Sequence, residues 1–439
     1  MIATEIRDVF RTADPTLPLQ SGDERYVDCT AVRGEEDVVD QLFDTISWSQ
    51  RRTTQLFTGH RGCGKSTELL RLKDRLEQAD YAVVYFEADD LLDLNDLVYS
   101  DILIAIVRQI YTRLEEMEIE LDPRLIEQIM EWFGEVIYEY ESVESAEVAL
   151  AGEFKIGTPK LLSPLAQMMA KITGQLRTGI ESKQHVRHRL EPQISHLIDN
   201  INLLLAESNL RLQEQGKVGM VVIIDNLDRI SFRSLGERNT HDALYIDHGE
   251  QLTSLGCHVI YTVPIAMFYS IQASILRGFF SDHLIMPMIK IRTRDGQSWD
   301  TGLAILHDIL GQRIDLDRIF EEAALDLLCE TSGGHPRDLM ILVRYACRYA
   351  AKRMPKPITV DAAQKAANRL VSEYSRMIPE HHLSLLAQVH HDKQVKNDEE
   401  HQAMLHNLSV LEYRNGAPPW HDVHPAVLAL PKFQALEDS

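Results

Sequence analysis

Residues 57–70, FTGHRGCGKSTELL, place three glycines before one lysine, which is followed by the two hydroxyl side chains of Ser66 and Thr67. The spacing Gly59-x-x-x-x-Gly64-Lys65-Ser66 is that of the phosphate-binding loop known as Walker A. Glycines let successive backbone N–H groups turn toward one anion, the lysine reaches the β- and γ-phosphates, and the serine hydroxyl ligates Mg²⁺. The loop residues that we expect to bind a nucleotide are Gly59, His60, Arg61, Gly62, Cys63, Gly64, Lys65, Ser66 and Thr67.

A carboxylate that suits the same metal ion follows a second apolar run. Asp225 comes directly after Val221–Ile224, so we predict that it lies at the carboxyl end of a strand, where open α/β sheets bind ligands. A carboxylate at that position can hold the hydration shell of Mg²⁺. The predicted metal ligands are therefore Ser66 and Asp225, although an acid can also simply end a strand.

Hydrolysis needs, in addition, a group that orients and deprotonates water. Asn226 cannot accept a proton, and Asp228 is the next acid along the chain. Asp228 is either the general base or a cap for the following turn, because NLDR after a strand also suits a helix start. We expect Arg229 to form a structural ion pair.

Two further polar residues have positions that suit phosphate contacts. Thr262 ends the apolar run 256–264 and can sense the γ-phosphate or position water, or it can be a β-branched strand residue. In GGHPRDL, residues 333–339, the glycines end one helix, Pro336 begins the next, and Arg337 projects from that start. A guanidinium suits phosphate recognition. The alternative is that this segment only ends one helix and begins the next, with the Arg337 side chain in solvent.

The elements that must position these residues alternate between short apolar runs and helical patterns. The predicted strands are 53–58, 81–90, 218–230, 256–264 and 283–291. Strands alternating with helices predict an α/β fold with a parallel five-stranded sheet and helices on both faces. Residues 95–216 read as a helical insertion that is interrupted by a Gly/Pro-containing break at 151–165.

The predicted organisation has four parts. An N-terminal segment spans 1–50, the sheet-containing core spans 51–300, a helical lid spans 301–357, and a final unit spans 358–439. The pair Asn415-Gly416 between two apolar runs indicates a hairpin, and helices followed by a hairpin predict a winged helix.

Composition restricts the class of partner. The chain has 439 residues, with 67 acidic and 45 basic side chains and a formal net charge of −22, which does not favour nucleic acid. Five scattered cysteines suit a reducing cytosol, and the first residues contain no apolar signal sequence. No apolar run reaches the roughly 18 residues of a membrane helix, so we expect a cytoplasmic protein without a membrane partner.

Together these residues resemble AAA+/STAND-type P-loop ATPases over roughly residues 25–430. GHRGCGKST resembles Walker A, and VVIIDNLDR resembles Walker B in a DxxDR form that is similar to KAP-type NTPases. AVRGEED resembles the box that contacts adenine, which implies roles for Val32 and Arg33. Thr262 matches a sensor-1 position, and GGHPR resembles the STAND GxP element and the AAA+ sensor-2 arginine, which implies nucleotide contacts by Pro336 and Arg337.

The resemblance implies a slowly hydrolysing, Mg²⁺-dependent ATPase, because Asn226 stands where many relatives have glutamate. It implies a nucleotide-controlled switch that forms homo-oligomers and recruits or restrains a protein effector. By association, bacterial antiviral defence is a further expectation. Arg277, in SILRGFF, is the expected arginine that completes a neighbouring subunit's site, unless it pairs with Asp282 in its own subunit.

The alternative is a DNA-binding loader or remodelling ATPase that grips duplex with the winged helix. The unit 358–439 contains more acids than bases, which counts against that alternative. A metabolic kinase would need a small-molecule pocket, and the long lid and winged tail argue against it.

Overall fold

A five-stranded parallel sheet forms the centre of the computed structural model, which describes residues 2–34, 36–138, 163–178, 180–235, 238–350, 357–415 and 417–437. The strands are β1 (Thr54–Gly59), β2 (Tyr81–Glu87), β3 (Gly219–Asp225), β4 (Ser234–Leu235), β5 (Arg238–Asn239), β6 (His258–Val263), β7 (Asp282–Met286), β8 (Val410–Asn415) and β9 (Ala417–Val423). The central order is β2-β3-β6-β1-β7, and every adjacent pair is parallel. The predicted α/β class and the five-stranded parallel sheet are confirmed.

Helices cover both faces of this sheet. They are α1 (Ile6–Thr12), α2 (Val38–Ser47), α3 (Lys65–Gln78), α4 (Ala88–Leu91), α5 (Tyr99–Glu116), α6 (Pro123–Phe133), α7 (Pro164–Thr178), α8 (Ile180–Leu190), α9 (Ile194–Glu214), α10 (Thr240–Tyr245), α11 (Gly249–Thr253), α12 (Ala273–Phe279), α13 (Asp300–Gly311), α14 (Leu316–Ile319), α15 (Glu322–Thr331), α16 (Pro336–Ala350), α17 (Val360–Met377), α18 (His382–Asp392), α19 (Glu399–His406), α20 (Pro425–Leu428) and α21 (Pro431–Glu437). Burial on both faces explains why β1, β3 and β6 are buried along their whole length.

The predicted strand ends differ from the observed ones for local reasons. The run 218–230 gives a strand only as far as Asp225, because Asn226 has a left-handed backbone (φ 65°) and a 3₁₀ turn follows at Leu227–Arg229. The run 81–90 ends as a strand at Glu87, where α4 begins. Both strands therefore end at the same edge of the sheet, and Glu87 is the register partner of Asp225.

The predicted insertion is helical where the structure describes it. Helices α5 to α9 pack with one face of the sheet into a single apolar cluster. Lys183 on α8 lies 2.7 Å from Asp93 and 3.2 Å from Asp96, so an ion-pair network also ties the insertion to the loop after β2. Residues 151–162 of the predicted Gly/Pro break lie outside the described residues.

The predicted lid and the final unit share one apolar cluster with the N-terminal helix α1. Strands β8 and β9 pair antiparallel, with Val410 opposite Val423, and Gly416 between them lies outside the described residues. The hairpin side chains Leu411, Tyr413 and Trp420 belong to a different cluster, which contains residues of α2, β1 and α3. The hairpin is thus packed against the sheet-containing core, while the domain boundaries themselves stay predictions.

Within the described ranges, no helix is both long and apolar enough to cross a bilayer.

Candidate functional site

A cavity of about 230 Å³ lies at the carboxyl edge of the sheet. Its lining includes the loop residues 61–67, the strand ends Glu87 and Asp225, the start of α16, and residues 11, 12 and 14–19 of the N-terminal segment. Parallel strands direct their carboxyl ends to one edge, so loop and carboxylates from distant parts of the chain meet there. The fold and this loop together define a P-loop site on an α/β domain.

Lys65 is held from three directions. Its ammonium Nζ lies 2.9 Å from Asp228 Oδ2 and donates to the backbone oxygens of Gly59, at 2.9 Å, and His60, at 3.0 Å. Burial acts to lower the pKa of Lys65, but the carboxylates of Asp228 and Asp225 outweigh burial, and the pKa lies above its ordinary value. The lysine is therefore a buried cation that already has one carboxylate partner.

Asp225 is the buried carboxylate next to the loop. It accepts hydrogen bonds from Tyr85 Oη, at 3.0 Å, and from the backbone N–H of Asn226, at 2.7 Å. Burial and the negative charge of Asp228 raise its pKa, and hydrogen bonding to Ser66, Asn226 and Tyr85 acts in the opposite direction. Ser66 and Asp225 supply hard oxygen donors beside a lysine, a donor set that fits Mg²⁺ bound with a nucleotide phosphate.

Asn226 connects Asp225 to acids of the neighbouring strand. Its amide nitrogen donates to Glu87 Oε2, at 2.7 Å, and to Asp89 Oδ1, at 2.8 Å. Arg229 lies 2.6 Å from Asp89, so the predicted structural ion pair of Arg229 is confirmed. Glu87 was missed by sequence reasoning, although acids at the end of run 81–90 were the available signal.

The start of α16 lies directly on the phosphate-binding loop. A Cβ added to Gly62, whose φ is 87°, would be 2.7 Å from Arg337 Cβ and 2.9 Å from His335 Nε2. Only glycine permits this approach. The imidazole of His335 donates from Nε2 to the backbone oxygen of Arg61, at 2.8 Å. The helix start predicted at Pro336 is thus in contact with the loop.

Arg337 lines the cavity, as the sequence predicted. Its Nε–H donates to the backbone oxygen of Pro15, at 3.3 Å. Burial and the positive charges of Arg229 and Arg61 lower its pKa. Arg337 therefore adds a cation to a part of the cavity that already concentrates positive charge.

The N-terminal residues divide between the cavity and the core. Arg33 lines the cavity, and its Nη2 donates to the backbone oxygen of Cys63, at 2.7 Å. Val32 is buried in the apolar cluster of the lid and does not line the cavity. The backbone N–H of Leu19 donates to Thr67 Oγ1, at 3.2 Å, so residues 11–19 also contact the loop, a role that no motif indicates.

Thr262 and Arg277 lie away from the cavity lining. The Thr262 hydroxyl is buried, donates to the backbone oxygen of Ile224, at 3.1 Å, and accepts the backbone N–H of Leu227, at 3.0 Å. It therefore stabilises the turn that carries Asp228. Arg277 is exposed on α12, and among the described residues no ion pair with Asp282 is formed. The sensor and intersubunit roles of these two residues stay predictions.

The predicted residues that line the cavity are Arg33, Arg61, Gly62, Cys63, Gly64, Lys65, Ser66, Thr67, Asp225, Asp228, Pro336 and Arg337. The loop residues Gly59 and His60 do not line the cavity, and neither do Val32, Thr262 and Arg277.

His60 faces the C-terminal hairpin instead of the cavity. Its Nε2 accepts the backbone N–H of Glu412 on β8, at 2.9 Å. Burial, together with the charges of His335 and Lys65, lowers the pKa of His60 well below its ordinary value. A neutral imidazole can accept this hydrogen bond, so the phosphate-binding loop is bonded directly to the hairpin.

No protein-family model matches the chain, and no curated protein matches it. Among solved structures, the chain is similar to that of Drosophila ORC bound to DNA, with 12% identity over 88% of this chain and 72% of that chain (TM-score 0.41). It is also similar to Cdc6p from Pyrobaculum aerophilum, with 12% identity, coverage of 98% and 97%, and TM-score 0.40. The Orc1 protein of Aeropyrum pernix in complex with DNA gives 13% identity, 98% coverage of both chains and TM-score 0.38.

Proposed function

We propose that this protein binds ATP with Mg²⁺, hydrolyses it slowly, and acts as a nucleotide-controlled switch that assembles with copies of itself to recruit or restrain a protein effector. The observation that carries the proposal is the hydrogen bond between His60 in the phosphate-binding loop and the backbone of Glu412 in the C-terminal hairpin. It gives the nucleotide site a direct connection to a distant part of the chain.

The charges of the cavity suit a nucleotide triphosphate. Lys65 would neutralise the β- and γ-phosphates, and Arg337 would contact the phosphates from the lid side. Ser66 and Asp225 would hold Mg²⁺, which supplies charge neutralisation of the phosphate oxygens when bound. The chain itself would bind and orient the nucleotide, and Arg33 together with residues 11, 12 and 14–19 lines the same cavity.

A displacement of Lys65 would be transmitted to the hairpin through His60. Lys65 donates to the backbone oxygen of His60, and His60 holds Glu412 with its side chain. A γ-phosphate that draws Lys65 away changes the position of His60 and thereby the hairpin contact. A ligand shifts such an equilibrium only by its differential affinity for the two states, and ATP and ADP differ in that phosphate.

A second connection runs through the lid. His335 contacts the loop at Arg61 and lies 3.3 Å from Asp338 on α16. Asp338 accepts a hydrogen bond from Tyr374 Oη, at 2.8 Å, and lies 3.2 Å from His424 Nε2. Burial acts to raise the pKa of Asp338, but the two histidines outweigh burial and the pKa lies well below its ordinary range. The ionised carboxylate therefore joins loop, lid and final unit.

Self-assembly is supported by the surface around Arg277. Three large apolar side chains near it are exposed, namely Ile271 at 84%, Ile275 at 43% and Phe279 at 39%. Ile275 and Phe279 lie on α12 with Arg277. Exposed apolar side chains on the same helix as an arginine that forms no ion pair among the described residues suit a subunit interface that delivers the arginine to a neighbouring phosphate.

DNA binding through the hairpin is not favoured by its packing. Tyr413 and Trp420 are buried, and Arg414 packs against the position of Gly34. Antiviral defence stays a prediction from the resemblance, because no described contact bears on it.

The mass of the purified protein with ADP, with ATP and with a non-hydrolysable ATP analogue tests the proposal. We expect a larger assembly with the analogue than with ADP. One mass under all three conditions, with nucleotide binding confirmed by calorimetry, would rule out the switch.

A further inference from the structure

Glu87 stands at the end of β2, next to the metal-binding carboxylate. It is the register partner of Asp225 across two parallel strands, and both residues line the cavity. The residue directly after Asp225 is Asn226, whose amide cannot accept a proton from water and so cannot act as the general base. The edge of the sheet therefore offers one more carboxylate, from the neighbouring strand, beside the site of hydrolysis.

Asn226 fixes the position of this carboxylate. Its backbone is left-handed, with φ 65°, and its side chain is buried between β2 and β3. The two N–H bonds of its amide have separate acceptors, Glu87 Oε2 at 2.7 Å and Asp89 Oδ1 at 2.8 Å. Asp89 is in turn paired with Arg229 at 2.6 Å. The amide therefore restrains one Glu87 oxygen and leaves the other for a further hydrogen bond.

We propose that Glu87 is the general base of ATP hydrolysis, supplied by β2 and positioned by Asn226. The inference rests on the proposed ATPase function and names the residue that takes the proton. Asn226 is a positioning residue in this assignment, since it acts through Glu87.

The step conserves atoms and charge. The Glu87 carboxylate accepts a proton from a water molecule as the water oxygen forms a bond to the γ-phosphorus. The bond from the γ-phosphorus to the β–γ bridging oxygen breaks, and its electron pair stays on that oxygen, which leaves with ADP beside Lys65. Glu87 then releases the proton to solvent when inorganic phosphate departs.

The electrostatic surroundings distinguish Glu87 from Asp228. The Asp228 carboxylate is 2.9 Å from the ammonium of Lys65, so it is committed to a buried ion pair. Among the described residues, Glu87 forms no ion pair; it lines the cavity and accepts a hydrogen bond from the Asn226 amide. A carboxylate that is not held by a cation remains available to accept a proton from water.

The test is the single-turnover hydrolysis rate of saturating Mg²⁺·ATP by the full-length protein, measured with nucleotide affinity by calorimetry. Glu87→Gln keeps an acceptor for the Asn226 amide and removes the base. We expect the rate to fall about 10²-fold or more, with Mg²⁺·ATP affinity changed less than about threefold. Glu120→Gln, the same substitution at an exposed glutamate outside the cavity lining, is the matched control and should hydrolyse at the wild-type rate.

A pH profile separates a base from a structural role. In the wild type the rate should fall toward acid pH as Glu87 is protonated, and Glu87→Gln should lose this acid limb. Asn226→Ala should lower the rate and move the limb without removing it, because the carboxylate remains but loses its amide partner.

Each contrary result has a definite meaning. Rates within threefold of wild type in Glu87→Gln would overturn the assignment while leaving the ATPase proposal intact. A loss of Mg²⁺·ATP affinity as large as that of Asp225→Asn would make Glu87 a metal ligand and also overturn it. Absence of hydrolysis in every assembly state of the wild type would instead overturn the proposed activity.

Discussion

The two sides of the phosphate-binding loop are held by different kinds of contact. On the sheet side, Lys65 meets Asp228 at 2.9 Å and Asp225 is surrounded by hydrogen-bond donors. On the lid side, the imidazoles of His60 and His335 bond to Glu412 and to the backbone of Arg61. The sheet-side contacts join charged side chains, whereas these two lid-side contacts join an imidazole to a backbone group.

The sheet side therefore carries the groups proposed to bind and hydrolyse ATP, and the lid side carries the contacts that link the loop to the rest of the chain. Ion pairs and carboxylates on the sheet side change with the charge of the ligand, because phosphate competes for the same lysine. The hydrogen bonds on the lid side are directional and short, so a small shift of the loop breaks them. Variants on the two sides should therefore have different effects.

Lys65→Ala should abolish nucleotide binding. The substitution removes the cation for the phosphates and leaves Asp228 as an uncompensated buried charge, and each loss costs several kcal/mol. Calorimetry with Mg²⁺·ATP should show at least about a 10²-fold weaker affinity. Lys73→Ala on the same helix, whose ion pair with Glu77 is long at 3.9 Å, is the control and should bind normally. Unchanged affinity in Lys65→Ala would remove the phosphate-binding role.

Arg277→Ala should lower hydrolysis by about 10³-fold without weakening ATP binding, if the exposed arginine completes a neighbour's site. Mixing decides whether the site is shared. Arg277→Ala subunits retain Lys65, and Lys65→Ala subunits retain Arg277, so mixed oligomers should regain part of the rate. No recovery in oligomers confirmed by mass would place the complete site within one chain.

Asp228→Asn should reduce hydrolysis while leaving ATP binding nearly intact. With Glu87 as the base, the reduction should be smaller than that of Glu87→Gln, because Asp228 then acts through Lys65. Rates of the two variants measured side by side sharpen the assignment. A greater loss in Asp228→Asn would return the role of base to Asp228.

Glu412→Gln should change the pH dependence of stability on the lid side. Burial raises the pKa of Glu412 to about 7, against a hydrogen bond from Tyr269 that acts in the opposite direction. The folded protein thus holds this proton more tightly than the unfolded chain, so the contribution is present below about pH 4.5 and is lost as the pH rises to about 7. Urea unfolding should show the wild type losing roughly 3 kcal/mol or less relative to the variant over this range. Free energies of unfolding that change equally with pH in the wild type and in Glu412→Gln would contradict this prediction.

The sequence predicted the sheet and the sheet side of the site, because these depend on local patterns. Walker A spacing and an apolar run before Asp225 are visible in single segments of the chain. Glu87 was missed since its role depends on the register of β2 with β3, a non-local property. His60 and Glu412, separated by 352 residues, meet only through tertiary packing, and no spacing rule could place them together.

Thr262 shows that the position of a residue at a strand end does not determine what its side chain contacts. Its strand end was predicted closely, yet its hydroxyl bonds to the backbone at Ile224 and Leu227. A β-branched residue at a strand end can satisfy a neighbouring turn as well as a ligand, and the sequence does not distinguish the two.

Amide hydrogen exchange of residues 410–423 tests whether the bound nucleotide controls the contact between His60 and the C-terminal hairpin. It would be measured with saturating Mg²⁺·ADP and with a non-hydrolysable Mg²⁺·ATP analogue. We expect slower exchange of the Glu412 amide with ADP than with the analogue, and fast exchange with both nucleotides in a His60→Ala variant. Equal protection of the wild-type hairpin with the two nucleotides would contradict the link between the nucleotide site and the C-terminal unit.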